Sequence, residues 1–260
     1  MTSAVPSRLR VSPRIWIGFA IWVGYAAVVL VIQRSSGIPY DEWGDSAGNL
    51  FFGGGLSLIV ASVLLAITTS LLGWWRPAIW DAVPARHRWP VIIPALVALA
   101  VLLNLAGTDW ASYSGAFLAA SIVLLLVGFT EELVHRGLLL TALRSRLAEV
   151  WVWFLSSALF AVMHFVNVFL GAPLDGTIAQ VGAAFLGGTA FYILRRTTGS
   201  LIWPMILHGA WDFSVFAAGV GTAGDLTAIA NVVYLFAGIL GLGAVWFVLR
   251  GRRHGASLAA

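Results

Sequence analysis

The stretch SYSGAFLAASIVLLLVGFTEELVHRGLLLTAL, residues 112–143, is apolar except for one charged run, EELVHRG, at 131–137. A membrane-spanning helix needs about 20 mainly apolar residues, so this stretch is long enough to cross a bilayer. An acid placed at the centre of such a helix costs about 2.5–3.5 kcal/mol, and such groups are normally buried against partners or a wet cavity. The stretch therefore predicts a membrane helix that carries a functional polar group.

Seven further apolar segments surround this one, and together they define the class of protein. The chain is 60% hydrophobic and 10% charged with a mean hydropathy of +0.93, whereas a soluble domain carries about 25% charged residues. We expect an all-α, polytopic membrane protein with about eight transmembrane helices in one bundle, a single membrane domain over 1–260. The eight segments are approximately 14–33, 50–74, 90–107, 112–143, 150–170, 178–194, 200–219 and 227–249.

Charged residues predict how the segments cross the membrane. Because arginine and lysine are enriched in cytoplasmic loops, their distribution sets orientation. Thirteen of the 15 basic residues lie at one set of segment ends, and Arg34 alone lies at the other set. The first set is Arg8, Arg10, Arg14, Arg76, Arg86, Arg88, Arg144, Arg146, Arg195, Arg196, Arg250, Arg252 and Arg253. The opposite loops carry Asp41, Glu42, Asp45, Asp109, Asp175 and Asp225.

This alternation predicts an even number of spans in the plasma (inner) membrane, with both termini cytoplasmic. The first segment is longer than the 7–15-residue core of a signal peptide, so we expect it to be retained. The sequence pI of about 10.1 could indicate nucleic-acid binding, but arginines confined to segment ends are typical of membrane topology instead. The absence of cysteine from the sequence excludes thiolate catalysis and disulfides.

Two further runs resemble the first in placing polar groups within apolar segments, FAVMH at 160–164 and HGAWD at 208–212. Residues four apart share a helix face, so we expect Glu131 beside His135, Glu132 beside Arg136, and Asp212 beside His208. A Glu132–Arg136 pair would neutralise one acid and leave Glu131 free for chemistry. Each run alone could equally be a polar contact between helices.

Depth in the membrane supports a shared site. Glu131 precedes Arg144 by 13 residues, His164 follows Trp151 by 13, and His208 follows Arg196 by 12. At a rise of 1.5 Å per residue, all three groups lie about 18–20 Å from their cytoplasmic end markers. We therefore expect three spans to bring these polar residues to one level.

Local features of the helices give three further expectations. Pro204 should break or kink the seventh span four residues before His208. His135, one turn from Glu131, is interpreted as a packing or supporting residue rather than a reacting group. Small residues let helices approach closely in lipid, and Gly182, Gly187 and Gly188 indicate such an approach in the sixth span.

The three runs, in this order, resemble the motifs of the CPBP family of intramembrane endopeptidases, which includes the CAAX prenyl proteases. The family pattern has two glutamates with an arginine four residues beyond the second, then Phe with His four later, then His with Asn four later. The similarity runs from Glu131 to Asp212, which would be the catalytic core region, 131–212. Asp212 departs from the commoner asparagine.

The resemblance implies an intramembrane metalloendopeptidase. Glu131 would activate water, His164 and His208 would be the essential histidines, Glu132 and Arg136 would support the site, and Asp212 would match the last motif position. A divalent metal, most plausibly zinc, would be held by Glu131, His164 and His208, since zinc takes N and O ligands. A metal-free route, with His208 stabilising the oxyanion, stays open. The implied partners are the lipid bilayer and a peptide or protein substrate that is membrane-associated or prenylated, with no nucleic acid.

Two other functions use similar residues. Acid and histidine chains also form proton relays in carriers, but carriers often show inverted repeats with paired broken helices, and no repeat is visible in the sequence. A non-catalytic scaffold or immunity-type protein of the same fold would use the same residues only to join helices.

Overall fold

The computed structural model describes residues 9–82, 85 and 87–249, and these form eight long helices and no strand. The helices are α1 (Ile15–Ser35), α2 (Ala47–Leu72), α3 (Trp89–Ala106), α4 (Gly115–Leu143), α5 (Glu149–Leu170), α6 (Leu174–Thr198), α7 (Ile202–Ala218) and α8 (Asp225–Leu249). Seven are long and apolar enough to cross a membrane, and α7, with 17 residues, packs among them. The predicted all-α, multi-pass membrane fold is confirmed.

Helix α4 lies at the centre of the bundle. Its last third, from Leu133 to Leu143, is buried along its whole length and packs against α1 and α5. Helix α7 packs against α4 and α3, while α6 packs between α5 and α8. Large apolar side chains such as Val23, Leu102 and Val232 point outward with more than half of their surface exposed. That exposed face is suited to lipid, because hydrocarbon favours apolar side chains and leaves no water for backbone groups outside helices.

The bundle has two chemically different ends. The arginine face holds residues 73–82, 144–148 and 199–201, where the backbone amide of Asp81 donates to the Gly199 carbonyl over 2.9 Å. The acidic face holds the loops 36–46, 107–114, 171–173 and 219–224, where the Gly224 amide donates to the Gly107 carbonyl over 3.1 Å. At this same face the Arg34 guanidinium donates to the Phe169 carbonyl over 3.1 Å.

A cluster of buried charges closes the arginine face. Asp81 lies between three arginines and forms ion pairs with Arg144, Arg195 and Arg196, and Arg144 also pairs with Glu149. These three arginines therefore join segments of the arginine face, in addition to indicating how the chain crosses the membrane. Five of the arginines used to predict the topology lie outside the described residues: Arg8, Arg86, Arg250, Arg252 and Arg253.

Helix irregularities lie elsewhere than the sequence predicted. The expected break at Pro204 is wrong: α7 begins at Ile202, so the proline lies in its first turn, where no intrahelical amide donor is needed. Irregular turns lie instead within α2, α4 and α5: π-helices over Phe51–Gly55 and Leu133–Leu139, and 3₁₀-helices over Val123–Leu125 and His164–Leu170. Single π turns inside α-helices are frequent at functional sites, and the one in α4 contains most of the EELVHRG run.

Candidate active site

Two glycines bring the first and third motifs together where α4 crosses α7. A Cβ atom on Gly128 would lie 2.0 Å from the Met205 carbonyl oxygen, and one on Gly209 would lie 2.6 Å from the Leu125 carbonyl oxygen. Only the absence of side chains lets the two backbones approach this closely, as small residues do in membrane bundles. The crossing places the two glutamates of α4 beside His208 of α7.

Glu132 is the central anion of the site. Its Oε1 atom accepts from Arg136 Nη1 over 2.8 Å and from His208 Nδ1 over 3.0 Å, and all three side chains are at most 3% exposed. The expected Glu132–Arg136 pair is therefore present. Because a carboxylate paired with a guanidinium can only accept, His208 carries its proton on Nδ1 and turns Nε2 toward the cavity.

A cage of aromatic rings surrounds these groups. The Arg136 guanidinium lies 4.1 Å from the centroid of the Phe160 ring, and His208 stacks on Phe191 at 4.7 Å. Gly188 leaves the room for this arrangement, since a Cβ there would lie 2.5 Å from Arg136 Nη2. Cation–π contact stabilises a desolvated guanidinium by about 2 kcal/mol, so the rings support a charge that hydrocarbon alone would not tolerate.

Two further carboxylates face the free nitrogen of His208. Glu131 Oε2 lies 3.9 Å and Asp212 Oδ2 lies 3.6 Å from His208 Nε2, both beyond an ordinary hydrogen bond. Glu132, from another helix, therefore holds the ring of His208 more closely than Asp212 of the same helix does. The Glu131 and Asp212 side chains are 15% and 34% exposed, so both reach the cavity.

His164 completes the set from α5. Its Nδ1 atom lies 3.1 Å from the Phe160 carbonyl oxygen. A carbonyl oxygen only accepts, so Nδ1 must donate and the other nitrogen, Nε2, keeps a lone pair. The Phe160 ring contacts both histidines, with its centroid 5.2 Å from the His164 ring and 5.3 Å from the His208 ring.

One cavity of about 430 Å³ connects these groups. Glu131, His164, His208 and Asp212 all line it, whereas Glu132 and Arg136 lie behind its wall with no exposed surface. The depth estimate from the sequence thus predicted the convergence of three spans. Glu131 Oε2 is buried with no hydrogen-bond partner in the described part of the chain, so it keeps an unused acceptor 3.9 Å from His208 Nε2.

Both ring nitrogens of His135 are occupied by structural contacts. Its Nδ1 lies 2.7 Å from the Glu131 carbonyl oxygen, and its Nε2 accepts from Trp22 Nε1 over 3.2 Å. His135 thus lies beside Glu131 on one helix face, with the contact made to the backbone carbonyl of Glu131. With both nitrogens occupied, His135 has no free site for proton transfer, in agreement with the packing role.

The predicted metal ligands do not form a complete metal site. Across residues 9–82, 85 and 87–249, no group of three or more His, Asp or Glu side chains is arranged to hold a metal ion. Glu131 Oε2 lies 3.9 Å from His208 Nε2, and the rings of His164 and His208 both pack against Phe160. Metal binding by these residues stays a prediction.

Several residues that build the site were missed by sequence reasoning. Gly128 and Gly209 set the helix crossing, Phe191 supports His208, and Tyr25 lines the cavity while its hydroxyl lies 3.2 Å from Thr130 Oγ1. The only sequence signal for the glycines was their position beside the motifs, three residues before Glu131 and directly after His208. Of the sixth-span glycines, Gly187 and Gly188 lie at close contacts and Gly182 faces open space.

Comparison with known families locates the same part of the chain. Residues 113–214 match the family described as type II CAAX prenyl endopeptidase, Rce1-like. The matched segment begins just before α4 and ends within α7, so it contains all six motif residues discussed above. A comparison of the chain with curated proteins found no match.

Proposed function

We propose that this chain, which carries the domain of the Rce1-like family in residues 113–214, hydrolyses a peptide bond inside the membrane with water activated by Glu131. The observation that supports this proposal most strongly is the single cavity lined by Glu131, His164, His208 and Asp212. These four residues come from three helices, and each of the three helices contributes a group that is expensive to place in hydrocarbon. A buried ion pair and an aromatic cage fix the orientation of His208 in it.

The reaction begins at Glu131. Its free carboxylate oxygen removes a proton from a water molecule, and the Nε2 lone pair of His164 accepts a hydrogen bond from the same water. The hydroxide oxygen forms a bond to the carbonyl carbon of the substrate, and the carbonyl oxygen becomes an oxyanion. This assigns general-base catalysis to Glu131 and water positioning to His164.

The oxyanion is stabilised by His208. Protonated on both nitrogens, the ring donates from Nδ1 to Glu132 and from Nε2 to the oxyanion, and Glu132 holds it in position before the reaction starts. Preorganised donors of this kind typically contribute about 10²–10³-fold in rate. The C–N bond then breaks, and the proton held by Glu131 passes to the departing amine. Arg136 keeps Glu132 ionised throughout, and Asp212 stabilises the imidazolium.

Substitution of the water-activating acid tests this assignment. In purified protein, Glu131→Gln should remove proteolysis of a quenched-fluorescence peptide library, while Asp225→Asn, the same change at an exposed acid, should leave the rate unchanged. His164→Ala should lower the rate by about 10²–10⁴-fold, the usual contribution of a group assisting proton transfer. Full activity of Glu131→Gln would refute the mechanism and favour the non-catalytic scaffold.

Two measurements address the cofactor and the substrate. Metal analysis of the purified protein, followed by chelator treatment, tests the zinc prediction: a rate that survives removal of all bound metal supports the metal-free route. The family name points to a CAAX prenyl substrate, so a prenylated peptide belongs in the library beside unmodified ones. We propose a membrane-associated peptide or protein as the substrate class.

A further inference from the structure

The cavity lies toward the acidic face of the bundle and away from the arginine face. Except for Glu131, Phe191 and His208, its lining residues come from the acidic-face halves of the helices and from the loop 36–46. On α4 the lining residues are Leu124, Val127 and Glu131, which all lie on the acidic-face side of the buried π turn. Among the described residues, none of the cavity-lining side chains belongs to an arginine-face loop.

Between Glu131 and the arginine face, the interior of the bundle is filled with side chains. Leu133, Leu139, Leu140 and Leu143 of α4 are completely buried between Glu131 and the arginine face. Arg195, also with no exposed surface, donates to the carbonyl oxygens of Arg136, Ala78 and Pro77 and so ties the π turn to the arginine-face loop. A substrate approaching from that face would have to displace this buried cluster.

The acidic-face rim is built to contact a polar chain. Amide side chains from four helices line it, and Asn167 donates to Gln180 over 3.0 Å. The amides are Gln33, Asn167, Gln180 and Asn231. Amides both donate and accept hydrogen bonds, so they suit an extended peptide backbone.

Two aromatic residues of the loop 36–46 form one wall of the rim. Trp43 packs on Gly53 and Gly54, where a Cβ atom would lie 2.5 Å and 3.1 Å from its indole, and Tyr40 lies 4.8 Å from Trp43 between ring centroids. Burial, and after it the negative charge of Asp212, raises the pKa of Tyr40. Tyr40 and Trp43 both line the cavity that holds Asp212.

We infer that the substrate reaches Glu131 from the acidic face, and that it is an extended peptide segment presented on the extracytoplasmic side of the membrane. The arginine distribution assigns the arginine face to the cytoplasm and the acidic face to the opposite side. A volume of about 430 Å³ lies in the range of sites for small ligands, about 300–1,000 Å³. It therefore admits a short unfolded segment and excludes a folded domain.

Charge narrows the substrate class further. Asp41 and Glu42 follow Tyr40 directly and are exposed. The acidic face holds six acids, four in its loops and two in the first turns of α6 and α8, against the single Arg34 at the end of α1. Clefts lined by one sign of charge raise the local concentration of the opposite sign. A segment with basic or neutral side chains next to the cleaved bond is the favoured substrate. This inference rests on the proposed function for the cleavage itself, but the direction of access does not depend on activity.

Single-cysteine labelling tests the direction of access, because the chain has no cysteine of its own. Val127→Cys places a thiol in the cavity one turn before Glu131. Ala111→Cys and Ala148→Cys are matched reporters on exposed loop positions of the acidic and arginine faces. A charged, membrane-impermeant methanethiosulfonate is applied to intact expressing cells and, separately, to inverted membrane vesicles.

We expect Val127→Cys and Ala111→Cys to react in intact cells, and Ala148→Cys to react only in inverted vesicles. If Val127→Cys reacts only in the preparation in which Ala148→Cys reacts, the inferred route is overturned. Reaction of Ala111→Cys only in inverted vesicles would overturn the extracytoplasmic assignment. If Val127→Cys reacts from neither side, Ala183→Cys on the opposite wall is labelled, and its silence too would refute an open cavity. Because labelling needs no proteolysis, failure of the Glu131→Gln experiment and failure of this one are distinguishable.

Discussion

Replacing Gly128 with alanine should separate the two helices that carry the site. The new Cβ would lie 2.0 Å from the Met205 carbonyl oxygen and 2.5 Å from the Gly209 nitrogen, against the 3.4 Å at which ordinary contact begins. The deficit of about 1.4 Å falls on backbone atoms of both helices, and no flexible side chain can absorb it. Overpacking of this kind costs about 1–3 kcal/mol, and we expect the upper end here.

The same displacement should reduce activity more than stability. His208 Nδ1 lies 3.0 Å from Glu132 Oε1 across this crossing, and a further 1 Å would end the hydrogen bond. Misplacement of a reacting group by about 1 Å can lower a rate by about 10²-fold. The assays are the initial rate of peptide cleavage and the thermal unfolding midpoint in detergent.

A matched control distinguishes the effect of disturbing the α4–α7 crossing from the general effect of replacing a helical glycine with alanine. Gly182→Ala lies on an exposed surface of α6 with no atom within 4 Å of the new Cβ, so both its rate and its unfolding midpoint should equal those of the unsubstituted protein. If Gly128→Ala also retains both properties, the close approach of α4 and α7 does not position the site, and the reasoning is refuted.

Three further outcomes follow from the charges. Asp212→Asn should keep activity within about tenfold, whereas Glu132→Gln should lose most of it, because Glu132 holds His208 at 3.0 Å and Asp212 lies at 3.6 Å; equal losses in a cleavage assay would contradict this. Asp81→Asn should lower the unfolding free energy by about 3–5 kcal/mol, the usual effect of breaking a buried ion pair. An unchanged unfolding midpoint in detergent would show that the ion pairs of Asp81 do not stabilise the fold. Burial alone would raise the pKa of Asp81, but its three arginine partners outweigh burial and lower it, so its stabilisation is present above the unfolded-state pKa of about 4 and lost as pH falls through the lower folded-state pKa. Thermal unfolding measured from neutral pH down to about pH 3 should therefore show a steeper loss of stability for the unsubstituted protein than for Asp81→Asn.

The arginine-face cluster adds a structural role to residues that the sequence assigned only to topology. Arg195 donates to the Arg136 carbonyl inside the π turn, and its partner Asp81 lies in the loop between α2 and α3. The cluster therefore links the arginine face to the motif that carries Glu131 and Glu132. Loss of Asp81 should disturb this support from a distance, even though Asp81 does not line the cavity.

The hydropathy of the sequence determined the membrane fold and the positions of its helices. Hydrocarbon offers no hydrogen-bond partner to the backbone, so long apolar segments have to become helices, and their number and approximate ends follow from composition. Spacing within one helix also predicted the Glu132–Arg136 pair, because that contact depends only on the local rise and turn of the chain.

Contacts between helices were decided by the tertiary structure. Asp212 shares a helix face with His208, yet Glu132 of another helix makes the closer contact, because Gly128 and Gly209 let α4 and α7 touch. His135 contacts the backbone carbonyl of Glu131, and a helix start at Ile202 places Pro204 in the first turn, where it breaks no helix. Which face of the bundle the cavity opens toward depends on how all eight helices fill the interior, and no single segment contains that information.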